Sequence, residues 1–263
     1  MSDATRMFLV SHQLFGVLGV ILLALMVEVG WQVGHYLSSH GIGRSDGASN
    51  FTAAIFGLLS LIIAIQFGGA SGRFDQRRDE IIKESLTIGT VNKSIDLLPE
   101  QDQPRLRESL KRYLDLRISM YQPPINLDRL NESFAERSKI ETDMWAAARA
   151  SVHAMPFPDK LIAAQILPAI SAMSDASDTQ RLSQALHPPR LIMGLLAALT
   201  IVGGLVSGYI MGIEKKRDWF LTILFVVLMA ASFAVILDLE YPRLGFINLD
   251  SVEAELVSIR KGM

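Results

Sequence analysis

The residues best suited to chemistry are polar and ionisable side chains inside or beside long apolar runs. Glu28 follows the first run, Gln66 lies within the second, and Asp238 and Glu240 close the fourth. A carboxylate facing lipid is costly, so each acid should face protein, water or the membrane interface. Glu28 is therefore either an interfacial residue or one that interacts with ions. Asp238 and Glu240 are two residues apart and do not share a helix face, which argues against a paired acid–base site.

A charged segment directly follows the second apolar run and covers residues 73–84. Basic side chains are favourable at the level of lipid headgroups, and acids can pair with bases four residues away along a helix. Two interpretations are open: an anchoring and pairing role, or a charged collar that lines the vestibule of a pore. In the same way, Gln66 is expected to hydrogen-bond a neighbouring helix or to face the pore. The full set assigned to a pore or vestibule is Glu28, Gln66, Arg73, Asp75, Arg77, Arg78 and Glu84.

No enzymatic signature accompanies these residues. The sequence lacks the HExxH, GxSxG, Walker A and GxGxxG patterns. It also lacks cysteine, which excludes disulfides, zinc–thiolate sites and cysteine nucleophiles. His35 and His40 fall in the predicted first loop, where two solvated histidines are favoured over a metal site. We therefore predict that the chain is not an enzyme and holds no metal or other cofactor.

The helices that must position these residues are predicted from segments of the sequence that contain no charged residue. The chain has 263 residues, of which 50% are hydrophobic, with 25 Lys+Arg against 27 Asp+Glu. It is too apolar for a disordered chain and lacks the basic surplus of a nucleic-acid binder. No charge occurs in residues 7–27, 51–71, 191–213 and 219–237. A helix of about 20 residues spans the roughly 30 Å bilayer core, and so short a chain could hardly bury four such helices in a soluble fold.

The predicted fold class is all-α. We expect an integral membrane protein with four transmembrane helices arranged 2+2 around a helical soluble insert. The domains are predicted as a hairpin at 1–71 (spans 7–30 and 51–71), a soluble domain at 72–189, a second hairpin at 190–240 (spans 191–213 and 219–237) and a C-terminal tail at 241–263. No alternation of β-branched residues predicts a strand.

The insert contains an amphipathic pattern with one arginine in the apolar register. The residues that recur at three- and four-residue spacing are Leu106, Leu110, Tyr113, Leu114 and Arg117. This spacing predicts a helix with one largely apolar face. Arg117 also belongs to a basic cluster that we interpret as a solvated helix face; the other members are Arg105, Arg107, Lys111 and Arg112.

Small residues at four-residue intervals predict close helix packing. The third span has Gly204, Gly208 and Gly212, and the second has Ser60, Ala64 and Gly68. Such rows let helix backbones approach and are held by dispersion contacts. The two rows could pack on each other within one chain or between chains. Together with a channel-like layout, they favour a homo-oligomer.

Orientation follows from the distribution of lysine and arginine near the spans. The larger set borders the termini and the insert, which predicts that these regions are cytoplasmic. The cluster Lys215, Lys216 and Arg217 opposes this orientation, because it would then lie on the other side.

Several short segments occur in an order that resembles a known family. They include residues 64–67, the charged segment after residue 72, and the closing stretch 237–247 with Asp238, Glu240, Pro242 and Gly245. Together they resemble bacterial and plant membrane proteins with a bestrophin-like domain. This resemblance implies a multi-pass protein of the bacterial inner membrane. Bestrophins proper are pentameric anion channels with a hydrophobic neck and an acidic calcium clasp, but this sequence shows neither pattern.

Two functions follow from the sequence. The first is a homo-oligomeric ion channel, with membrane lipid, copies of the same chain and an inorganic ion as partners and without nucleic acid. The alternative is a membrane-anchored helical sensor or scaffold whose soluble domain binds a partner. A membrane enzyme is less favoured, because no catalytic constellation can be assembled.

Overall fold

The computed structural model describes residues 3–42, 48–120, 127–184, 188–242, 247 and 249–263. Within these ranges every regular element is helical and no strand occurs, so the all-α prediction is confirmed. A short 3₁₀ turn covers Ile95–Leu97. The helices are α1 (Asp3–Ser39), α2 (Ala48–Ser94), α3 (Gln103–Ser119), α4 (Leu127–Ala154), α5 (Asp159–Ala163), α6 (Ile166–Gln184), α7 (Arg190–Ile213), α8 (Trp219–Glu240) and α9 (Asp250–Lys261).

Among the described residues, four helices are long and apolar enough to cross a membrane, as predicted. The candidate spans have mean hydropathies of 1.5, 2.1, 2.2 and 2.8 and cover Leu18–Ser39, Asn50–Leu97, Leu191–Ile213 and Trp219–Glu240. The first extends well past the expected end near residue 30, because apolar residues continue beyond Glu28. His35 therefore lies within α1, and its expected position in a loop is wrong.

The chain divides into two compact units. The membrane unit consists of Phe8–Phe74 and His187–Ile247, and the helical unit of Met1–Met7, Asp75–Leu186 and Asn248–Met263. Helix α2 contributes residues to both units. The 2+2 arrangement and the predicted domain boundaries stay predictions.

In the membrane unit, α1 and α7 approach closely through glycine. A Cβ added at Gly30 would overlap the backbone of Leu205, and one at Gly208 would overlap the carbonyl of Val27. A second contact region joins α1, α2, α7 and α8, where the rings of Phe56 and Phe225 meet edge to face at 5.4 Å. Its buried centre consists of Leu23, Leu59, Leu196 and Met229. Here glycine supplies close approach and larger side chains fill the remaining volume.

In the helical unit, α3 packs on α4 and α9, and α4 packs on α6. Apolar residues of α2, α3, α4 and α6 form its interior, including Ile88, Leu110, Met144 and Ile170. Helix α6 begins at Ile166, which places Pro168 in its first turn. A proline is tolerated there because the amide of that position has no partner within the helix.

Candidate functional sites

Glu28 lies on α1 and is part of a polar cluster in the membrane unit. Its carboxylate accepts a hydrogen bond from Gln32 at 3.1 Å and pairs with the guanidinium of Arg217. Arg217 belongs to the short segment between α7 and α8. The predicted ion-interacting residue therefore has a fixed cationic partner in its own chain.

The Arg217 guanidinium lies over the rings of two tryptophans. Its Cζ lies 4.3 Å from the Trp31 ring centroid and 4.5 Å from that of Trp219. His35 stacks on Trp31, with ring centroids 4.9 Å apart and an angle of 11° between the planes. A cation over an indole face gains about 0.5–2 kcal/mol. We call Glu28, Trp31, Arg217 and Trp219 the arginine cage; it ties α1 to the segment between α7 and α8.

Gln66 is buried inside the membrane unit. Its amide nitrogen donates to the Met193 sulfur at 3.5 Å, so it contacts the neighbouring helix α7. This geometry matches the interhelical role, and an assignment of Gln66 to a pore stays a prediction.

Arg73 and Glu240 form an ion pair between α2 and α8. The Arg73 Nε donates to a Glu240 carboxylate oxygen at 2.9 Å, and a second guanidinium nitrogen contacts the same oxygen. The Glu240 side chain is only 2% exposed. Ala70, Ile236 and Leu239 form an apolar cluster in the same unit. Because Glu240 is withdrawn from solvent, the closing acid serves as an anchor for Arg73.

The remaining residues of the closing motif have different surroundings. Asp238 is half-buried and has a polar or ionic contact, while Pro242 is buried. Gly245 lies outside the described residues.

The residues of the charged segment after the second apolar run lie on α2 and differ in their burial. Arg77 and Glu84 are buried, whereas Asp75 and Arg78 are exposed. Only the exposed pair could contact water in a single chain. The pore or vestibule assignment of all four stays a prediction, but burial favours Asp75 and Arg78.

Glu84 is the centre of a buried polar network in the helical unit. The Arg117 Nε donates to the Glu84 Oε1 at 2.8 Å, and its Nη2 donates to Oε2 at 2.8 Å. The Tyr113 hydroxyl donates to Oε1 at 3.0 Å. Arg117 also contacts the side-chain oxygen of Gln180 on α6. Burial raises the pKa of Tyr113 well above its ordinary value, and the Glu84 charge adds to this effect. This network joins α2, α3 and α6 through ionic contacts shielded from water.

A second buried arginine extends these polar contacts. Arg137 on α4 contacts the Ser177 hydroxyl and donates to Asp178 at 2.5 Å, both on α6. Its Nε lies 3.5 Å from the carboxylate of Glu141. Four helices of the helical unit thus meet at buried charges, an arrangement that makes the ionic state of the interior important for stability.

The structure separates the two predicted rows of small residues. Gly204, Gly208 and Gly212 lie against α1, where Cβ atoms would meet Leu23, Val27 and Trp31. In contrast, Ser60, Ala64 and Gly68 are exposed. Within one chain the rows therefore do not pack on each other, and the partner of the third-span row is α1 with its own Gly30 and Gly34.

Two important groups escaped the sequence analysis. Arg117 was interpreted as part of a solvated basic face, which is wrong, because the structure buries it. Its place in the apolar register with Tyr113 and Leu114 was the available signal. Arg217 was considered only for membrane orientation, and no sequence spacing connects it with Glu28. Among the described residues, no group of three or more His, Asp or Glu side chains could hold a metal ion.

The fold and these sites define a helical integral membrane protein whose helices are joined by ion pairs. The Bestrophin-like domain matches residues 15–253, nearly the whole chain, and the protein belongs to this family. This confirms the family predicted from the short segments.

Solved structures support the same fold. A mutant of a bacterial bestrophin homologue from Klebsiella pneumoniae has a TM-score of 0.64 and 12% identity, covering 93% of this chain and 98% of that chain. A second mutant of that homologue has a TM-score of 0.60 and 14% identity, covering 92% and 99%. A mutant of a protein described as a membrane protein has a TM-score of 0.63 and 13% identity, covering 93% and 98%. No curated protein shows significant sequence similarity to this chain.

Proposed function

We propose that this protein is a homo-oligomeric ion channel in which copies of α2 surround the conducting path. The observation that carries this proposal is an exposed face of small residues in the membrane unit. Its members lie at three- and four-residue intervals and are Ala53, Gly57, Ser60, Ala64 and Gly68. We call this set the small face of α2.

The small face differs from ordinary lipid-facing surface in the same unit. Exposed residues of α8 include Ile223 and Leu228, whose large side chains suit contact with acyl chains. By contrast, a Cβ added at Gly57 or Gly68 would have no neighbour within 4 Å. Small residues allow other helices to approach or leave volume for water and ions. A ring of copies with this face toward a common axis uses both properties.

The family supports an ion as the transported species. Bestrophins proper are anion channels, and this chain belongs to the Bestrophin-like family. The proposed setting is a bacterial inner membrane, with the helical unit and both termini in the cytoplasm as the larger lysine and arginine set predicts.

Cysteine substitution tests the path directly, because the natural sequence contains no cysteine. Ser60→Cys and Ala64→Cys should conduct in planar bilayers and lose most of their current when a charged, water-soluble thiol reagent is added. Ile223→Cys provides a matched exposed control on α8 and should retain its current. Labelling measured by mass shift shows whether each thiol has reacted.

Two results contradict the channel. One is a lack of conductance in several salts from protein shown to be folded and assembled. The other is full current from Ser60→Cys and Ala64→Cys protein whose thiols are completely labelled. Disulfide cross-linking at Ala64→Cys tests assembly separately from conduction.

The exposed charges of α2 are the leading candidates for a vestibule. Asp75→Asn and Arg78→Gln should change ion selectivity or single-channel conductance in opposite directions, because they alter local charge with opposite sign. Lys93→Gln, an exposed residue farther along α2, is the control. Unchanged selectivity and conductance in both variants would remove these residues from the path.

One observation favours the scaffold as the second candidate. Phe157, Leu161 and Ile162 expose 72%, 61% and 55% of their surface at and beside α5 of the helical unit. Exposed apolar side chains that cluster in this way often mark protein contacts. A triple substitution by serine that abolishes capture of a partner while conductance and assembly remain normal would support a scaffold role.

A further inference from the structure

Glu141, on α4 of the helical unit, has a buried carboxyl group whose hydrogen bonding is incomplete. The residue is 8% exposed. In the described part of the chain, its Oε1 is shielded from solvent and has no hydrogen-bond partner. A buried acceptor in this state lowers the stability of the folded protein, and a charged one lowers it more.

The neighbouring arginine cannot fully compensate for this carboxylate. Arg137 lies one turn earlier on α4, and only its Nε approaches Glu141, at 3.5 Å. Its terminal nitrogens are directed to α6, where they contact Ser177 and Asp178. The guanidinium therefore links α4 to α6 and leaves the Glu141 charge only weakly paired.

The other elements around Glu141 add mainly acidic or neutral groups. Asp178 and Ser174 face it from α6, Glu84 from α2 and Tyr113 from α3. Burial raises the pKa of Glu141, Asp178 and Glu84 raise it further, and Arg137 and Ser174 oppose the rise. Glu84 is itself held by Arg117. Negative charge on Glu141 thus lies near two other carboxylates, the buried Glu84 and the exposed Asp178.

We propose that Glu141 is an acid-responsive switch in the helical unit, where uptake of one proton removes repulsion from Asp178 and Glu84 and strengthens the packing of α4 against α6. The protonated carboxyl can also donate a hydrogen bond. A pH-dependent change in this unit would act independently of any ion conduction, so the inference does not rest on the proposed channel.

The sign of the pH effect follows from linkage. Because the folded protein binds the Glu141 proton more tightly than the unfolded chain does, this group favours folding in acid. The contribution is lost as the pH rises from the ordinary carboxyl range through the raised pKa of Glu141. Other carboxylates have their own pH dependence, so the difference between matched variants is the informative quantity.

The test compares the full-length protein with Glu141→Gln in detergent at about pH 4, in the ordinary carboxyl range, and at about pH 8. At the higher pH the variant should melt about 3 °C above wild type, because it lacks the buried charge. At the lower pH the two Tm values should converge. Glu136→Gln is the matched control on the same helix, since its exposed carboxylate pairs with Arg112.

Two outcomes overturn the proposal. Glu141→Gln that shifts the Tm equally at both pH values shows that the effect is not linked to a proton. A Tm below wild type at the higher pH shows that the charged form stabilises the fold. If the glutamine variant does not fold, Glu141→Met gives the same comparison; failure of both neutral variants to fold also contradicts the switch.

Discussion

Glu84 and Arg117 are paired in the interior of the helical unit, with side chains only 0% and 2% exposed. Two Arg117 nitrogens reach both carboxylate oxygens of Glu84, a bidentate geometry that specifies the position of each helix. The pair connects α2 to α3, and Gln180 extends it to α6. A residue assigned by sequence to a pore vestibule is thus a central structural contact.

Removing one member of this pair should destabilise the protein strongly. Arg117→Ala would leave Glu84 charged, buried and without its bidentate partner, which costs about 3–5 kcal/mol in other buried pairs. Chemical denaturation followed by the helical circular dichroism signal should show the lower free energy of unfolding. Arg112→Ala on the same helix should change stability little, because its ion pair is exposed. Equal stability of the two variants would contradict a structural role for Arg117.

Close packing of α1 on α7 predicts strict size limits at Gly208. Gly208→Ala places a methyl group against the Val27 carbonyl. Overpacking of this kind costs about 1–3 kcal/mol and should lower the Tm or the yield of folded protein. Gly194→Ala is a suitable control on α7, because its added Cβ would meet nothing within 4 Å. If both variants melt at the same temperature, the helices can separate more easily than their contacts indicate.

The arginine cage predicts that Arg217 acts through its charge and its planar shape together. Arg217→Gln should lower the free energy of unfolding by about 1–2 kcal/mol, since the variant loses both the cation–indole contacts and the ion pair with Glu28. Arg217→Lys should recover only part of this, because a lysine lacks the planar guanidinium. Protein melting followed by tryptophan fluorescence in a Trp145→Phe background reports on Trp31 and Trp219, the two remaining tryptophans. Lys216→Gln provides the neighbouring control. An equally large loss of stability there would indicate that any positive charge in this segment is sufficient and that the contacts of Arg217 are not specific.

The ionic contact between the C-terminal helix and α3 should be released in acid. Arg260 donates to the two Asp115 carboxylate oxygens at 2.7 and 2.8 Å, joining α9 to α3. This hydrogen bonding lowers the pKa of Asp115. The contact therefore stabilises the fold above the ordinary carboxyl pKa and is lost as the pH falls through the lowered value.

Hydrogen exchange of α9 measures this release. Protection should decrease in acid for the natural protein, whereas Arg260→Gln should start with lower protection and depend less on pH. High salt should reduce the difference, because the pair is largely exposed. Arg105→Gln supplies a control on α3, and identical pH profiles for natural and Arg260→Gln protein would exclude the contact as the cause.

The sequence alone was sufficient for the helical class and the four membrane helices. These features depend on local information, since a charge-free run long enough to cross a bilayer has few alternatives as a soluble structure. The register of Leu106, Leu110 and Leu114 also identifies the buried face of α3. For the same reason, residues 64–67 and the closing stretch indicate the family even though each segment is short.

Tertiary structure decided which charges are buried and which partners they have. Glu84 and Arg117 are 33 residues apart, and Glu28 and Arg217 are 189 apart. Helical periodicity places each side chain on a face, but it does not determine which other helix covers that face. Long-range packing therefore pairs Glu84 with Arg117 and Arg73 with Glu240 inside the protein. It left Asp75, Arg78 and the small face of α2 exposed, because no helix in the described part of the chain covers those positions.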